Sequence, residues 1–186
     1  MTSSIRPSTR DAIIDAAFAI LSKDPSAALA DIAVRAGVGR ATLHRHFASR
    51  DELVRALARI ANKEMDEAVE AACVDAQSHS EVARLALQAL IPLGDRFGFL
   101  ALEPLENDPE LLAVYKQEQR ETAEMIEGAK SEGLLDPAVP TAWIVQAYDH
   151  LIYAGWESVK AGETTPDQAA KLAWRTLTHG LGRPKS

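Results

Sequence analysis

The stretch that most constrains this chain runs from Asp31 to Leu53 and reads DIAVRAGVGRATLHRHFASRDEL. Ala33 stands four residues before Gly37, Leu43 six residues after it, and Phe47 four residues further on. Two short helices crossing steeply over a tight turn need a small residue at the crossing, a residue tolerant of positive φ at the turn, and a large apolar plug one turn into the second helix. Ala33, Gly37 and Leu43 supply these in order, and Phe47 extends the same face. With Ala33, Gly37, Val38, Leu43 and Phe47 inward, the second helix presents Arg40, Ala41, Thr42, His44, Arg45 and His46. That set is short, basic and rich in hydrogen-bonding groups, as a DNA major groove requires.

The rest of the chain reads as helix, without the alternation that marks strands. Ser8 or Thr9 caps a first helix with Asp11 in its first turn, and Lys23-Asp24-Pro25 ends it. Short helices follow at about Leu29 to Ala36 and Arg40 to Phe47. Ser49 and Glu52, at capping-box spacing, open a fourth that runs past Val69. Ser80 caps a fifth, through Leu90 or Leu93. Gly94, Gly98 and Pro104 predict a short or broken helix with loops from Pro92 to Asp108. Asp108-Pro109-Glu110 starts a helix to about Glu132, halted at Gly133. Two more begin at Pro140-Thr141 and Thr165-Pro166-Asp167 and end near Gly162 and Gly180. The expected fold is all-α with about nine helices.

Charge divides the chain in two. Residues 1–60 hold nine Lys/Arg against six Asp/Glu, a net +3, while residues 61–186 hold eleven against twenty-one, a net −10. The overall −7 therefore hides a basic part able to face phosphate and an acidic part repelled by it. The expected division is a helix-turn-helix domain over residues 1–52 and a second helical domain over residues 53–186. No apolar run approaches a membrane span, Met1 to Thr9 lack the apolar core of a secretory signal, and the single Cys73 cannot form an internal disulfide. A cytoplasmic protein is expected.

The string from Asp31 to Leu53 resembles the N-terminal DNA-binding domain of the TetR (tetracycline-repressor-like) family of transcriptional regulators. Asp31-Ile32-Ala33, Ala36-Gly37-Val38, Thr42-Leu43, Arg45-His46-Phe47, Ser49 and Asp51-Glu52-Leu53 carry the likeness, which spans about residues 10–60. His44 stands where the family usually has Tyr, Arg50 where it has Lys, Gly39 where it often has Ser, and Ala28 where it has Thr or Ser. The resemblance implies that the third helix enters the major groove. Thr42, His44, His46 and Arg50 would then hold phosphates, while Arg40, Ala41 and Arg45 face base edges, with Arg40 the first choice for guanine.

The resemblance also implies a homodimer that binds a double-stranded operator and releases it to a small-molecule effector. Phe97, Phe99, Leu100, Glu103, Tyr115, Gln119, Trp143 and Tyr148 are the candidate effector contacts, with Asp149 and His150 as further polar groups. The acids favour a neutral or cationic ligand over an anion. Ile152, Gly155, Trp156 and Val159 on the penultimate helix, with Ala170, Ala173, Trp174 and Leu177 on the last, are the candidate dimer interface. No cofactor, metal or catalytic residue is expected. His44 and His46 lie two apart, on different sides of a helix, and no nucleophile accompanies Asp149-His150. The alternatives are an activator or effector-independent DNA-binding protein of the same fold and, more remotely, a small helical enzyme.

Overall fold

A computed structural model describes residues 8–102 and 108–180. Among them are nine α-helices, α1 (Thr9–Leu21), α2 (Leu29–Arg35), α3 (Arg40–His46), α4 (Arg50–Cys73), α5 (His79–Leu90), α6 (Gly94–Leu102), α7 (Pro109–Ser131), α8 (Thr141–Lys160) and α9 (Pro166–Gly180), with a 3-10 turn at Ile91–Leu93. No described helix is long and apolar enough to cross a membrane.

Most helix ends lie where capping chemistry places them. Ser8 Oγ accepts from the Asp11 N–H, and the Asp11 carboxylate returns a bond to the Ser8 N–H. Ser49 Oγ accepts from the Glu52 N–H while Glu52 reaches back to the Ala48 N–H. Thr165 and Gln168 close a similar pair at α9. α5 begins earlier than expected, capped by Ser78 rather than Ser80. Its next two donors, the His79 and Ser80 N–H groups, point to the Glu132 carboxylate at the end of α7, at 2.8 and 2.9 Å. α6 is the short helix expected there, and it runs unbroken through Gly98, which is buried within it.

The chain packs as two compact units, residues 1–62 with 95–104, and residues 63–94 with 105–186. The first unit is thus larger than the expected 1–52 domain. Its core gathers Ile13, Ala17, Phe18 and Leu21 of α1, Ile32 and Ala33 of α2, Leu43 and Phe47 around α3, Leu53, Leu57 and Ala61 of α4, and Phe99 of α6. Phe99 meets Phe18 edge-on at 5.5 Å, and the Arg96 guanidinium sits 4.4 Å over the Phe18 ring.

The second unit packs α5 on α7 and α8 on α9. Ala83 and Leu87, Leu111 and Ile126, Ile144, Tyr148 and Ile152, and Ala169, Ala173 and Leu177 form its interior. The buried Tyr148 hydroxyl donates to the Ala83 carbonyl at 2.7 Å, and burial raises its pKa.

Candidate nucleic-acid interface

The first unit folds the Asp31–Leu53 string as two crossed helices. Gly37 adopts φ +68°, the left-handed region open to glycine, and the Val38 N–H closes the end of α2 on the Ala33 carbonyl at 3.0 Å. Ala33, Leu43 and Phe47 are buried. Gly37, expected inward, is exposed, because it forms the turn itself, and Val38 is half-buried. Ala28 offers no side chain to cap α2, and Asp31 accepts from the Ala28 N–H instead.

α3 turns its basic residues outward. Arg40, Ala41, His44, Arg45 and His46 are exposed and Thr42 is half-buried. Arg45 donates through Nη2 to Thr42 Oγ1 at 3.0 Å. Gly39 caps α3 with open space where a Cβ would stand. Arg50, expected on phosphate, is half-buried and donates through Nη2 to the Pro25 carbonyl. It braces the start of α4 against the loop after α1, and a phosphate would have to share that guanidinium. The Arg10 guanidinium over the Phe47 ring, at 5.3 Å, ties α1 to the end of α3.

The candidate effector contacts fall in both units. Phe97, Phe99 and Leu100 lie on α6 in the first, and Tyr115, Gln119, Trp143 and Tyr148 lie in the second. Glu103 lies outside the described residues. Phe99 has no exposed surface and belongs to the core with Phe18. Tyr115 is 52% and Trp143 65% exposed, so neither stands in the interior with Tyr148.

Beside Tyr148 is a group of acids from three helices, most of it unforeseen. Burial, and then the charges of Asp66, Glu121 and Asp149, push the Glu118 carboxyl up to about 7. Burial also raises Asp149, although Gln119 donates to it at 3.3 Å, and raises Asp66, with Glu121 adding to the effect. Asp149 is one of the polar groups expected near an effector, and Glu118 falls on the α7 turn that holds Gln119. Their assembly with Asp66 links positions too distant in sequence for helical periodicity to pair. Among the described residues no three His, Cys, Asp or Glu converge to hold a metal ion.

The expected dimer residues are largely consumed within the second unit. Ile152, Gly155, Trp156, Ala170, Ala173 and Leu177 are buried, and Val159 and Trp174 half-buried. Gly155 permits a close approach inside the chain rather than to a partner, since a Cβ there would fall 2.8 Å from Ile91 Cδ1. The outward side of α8 instead carries Trp143, Ala147, Leu151 and Ala154 at helical spacing, and α9 exposes Leu172 and Thr176. Trp143, Ala147, His150, Leu151, Thr176, Leu177 and Gly180 line a groove of about 350 Å³.

Comparison with known proteins agrees with this geometry. Residues 13–57 match the model of the bacterial regulatory proteins of the tetR family. Over 180 residues, 96% of this chain and 93% of the relative, the sequence is 36% identical to the HTH-type transcriptional repressor LfrR of Mycolicibacterium smegmatis. The chain belongs to the TetR family. This TetR-family protein is a DNA-binding transcriptional regulator. The crystal structure of the TetR-like regulator LfrR from Mycobacterium smegmatis in complex with proflavine aligns with it at a TM-score of 0.73 and 33% identity, covering 95% of this chain and 97% of that one. The ketosteroid transcriptional regulator KstR2 of Mycobacterium tuberculosis shares the fold, at a TM-score of 0.78 and 18% identity over 99% of this chain and all of that one.

Proposed function

We propose that this TetR-family regulator is a homodimeric repressor that holds its operator through α3 and lets go when a planar, cationic small molecule enters its second unit. One observation carries the operator reading. Leu43 and Phe47 are buried while Arg40, Ala41, His44, Arg45 and His46 stand in solvent, so α3 offers a basic face suited to the major groove. In this reading residues 1–52 read DNA and residues 53–186 bind the effector and the second copy.

Two features support the choice of effector. LfrR has been crystallised with proflavine, a flat cationic acridine. The acids Glu118, Asp149 and Asp66, beside Gln119 and Tyr148, form surroundings that a positive charge relieves. The second copy is assigned to the outward α8 and α9 face, where Trp143 and Leu172 supply exposed apolar surface and the half-buried Leu151 lines the groove. An effector releases the operator only through its preference for the conformation that cannot bind DNA.

Mobility shift on DNA flanking the protein's own gene tests this. Wild type gives a salt-sensitive complex that Arg40→Ala weakens and proflavine dissolves, while a neutral tricyclic of similar size does not. Equal, weak binding by wild type and Arg40→Ala refutes the operator reading. A complex indifferent to proflavine, with no thermal stabilisation by it, returns the protein to the effector-independent alternative.

A further inference from the structure

We propose that Arg45 reads a guanine in each operator half-site and that Thr42 is the residue that aims it. The inference rests on α3 entering the major groove, as argued above.

The geometry of the helix sets Arg45 apart from Arg40. Successive residues of an α-helix turn by about 100°. Leu43, the buried residue of α3, lies two residues before Arg45, about 200° round the helix, so Arg45 points almost directly away from the core. Arg40 lies about 60° round the helix from Leu43, on the flank. His44 and His46 stand at about 100° to either side of Arg45, placed to meet the two phosphate tracks that border a groove. Arg45 thus occupies the middle of the outward face.

Its side chain is also held. Nη2 of Arg45 donates to Thr42 Oγ1 at 3.0 Å, one turn toward the start of α3. Ala41, four residues before Arg45, presents only a methyl group beneath the arginine stem. Arg40 has no hydrogen bond or ion pair to another described residue. A long side chain fixed in one rotamer before DNA arrives loses less freedom on binding. The bond to Thr42 uses one of the five guanidinium N–H donors, leaving an edge to meet the O6 and N7 acceptors of guanine together. Thr42 accepts in this bond, so its own hydroxyl hydrogen stays free to donate to a phosphate.

Selection from a randomised double-stranded library, followed by affinities on single-base operator variants, tests the assignment. Wild type is expected to select one guanine per half-site that Arg45→Ala no longer requires, losing about tenfold to a hundredfold of discrimination at that base alone. Arg45→Lys keeps the charge but loses the fork, and loses the same discrimination. Thr42→Val lowers discrimination at the same base by a smaller factor, and Thr42→Ser restores it. If Arg45→Ala weakens every sequence equally, or keeps the guanine preference, the assignment is overturned while the operator reading stands. If wild type selects no sequence, the operator reading itself falls and the assignment with it.

Discussion

The two units place their ionisable side chains in opposite ways. The first leaves Arg40, His44, Arg45 and His46 in solvent and fills its interior with Ile13, Phe18, Leu43 and Phe47. The second draws Glu118 and Asp149 into partial burial and turns Trp143 and Leu172 outward. A well-solvated positive face carries little penalty while it waits for a polyanion. A half-buried carboxyl does carry one, and either a proton or a cation removes it. Exposed apolar residues on α8 and α9 are relieved by a second apolar surface. The first unit is therefore suited to a partner of high charge, and the second to a small cation and to another copy of itself.

The sharpest way to break this contrast is to empty the core behind the basic face. Leu43→Ala removes the plug under α3 and is expected to lower unfolding free energy by about 2–5 kcal/mol in urea titration, with loss of operator binding. Unchanged stability would mean that the plug does not set α3. Next comes the apolar face of the second unit. Leu151→Arg is expected to shift sedimentation from dimer to monomer and to weaken operator affinity by at least about tenfold, since two reading helices must act together. A variant that remains a dimer would move the interface elsewhere.

A smaller effect separates the buried acids from the exposed bases. Glu118 holds its proton more tightly folded than unfolded, because burial and neighbouring charges raise it from 4.5 to about 7. Its contribution is fully present below pH 4.5 and is lost as pH rises through about 7. Glu118→Gln removes that dependence, so at pH 8 its Tm should exceed that of wild type by a few degrees, on the order of a small ΔΔG in a domain of this size. Equal Tm values at pH 8 would show that the carboxyl is solvated. The smallest expected change concerns Ser22, whose hydroxyl is buried without a hydrogen-bond partner among the described residues. Ser22→Ala should raise stability by about 1 kcal/mol or less in urea titration, and a loss of stability would reveal a bond to that hydroxyl.

Much of the first unit could be foreseen because its constraints are local. Ala33, Gly37 and Leu43 act within ten residues, and Ser8 with Asp11 and Ser49 with Glu52 act within one turn. Nine helices, the acidic start of α7 and the end of α2 follow from the same short-range rules. What local rules could not supply was which neighbour a side chain would meet. Gly155 was expected against a second copy and instead receives Ile91 of its own chain. Glu118 and Asp66 were missed because their proximity depends on how α4 and α7 pack. Arg50 is expected on a phosphate, yet its guanidinium turns back to the Pro25 carbonyl. The dimer residues were inferred from apolarity, which marks a helix for burial without saying whose surface buries it.

The Glu132 carboxylate bears on how the chain is made. It accepts the first two backbone donors of α5 from a position 52 residues later than Ser80. On the ribosome α5 emerges with only Ser78 to close its first turn, and those donors stay hydrated until the far end of α7 has been translated. The start of α5 therefore reaches its final form late, and a chain released before residue 132 would carry a frayed α5.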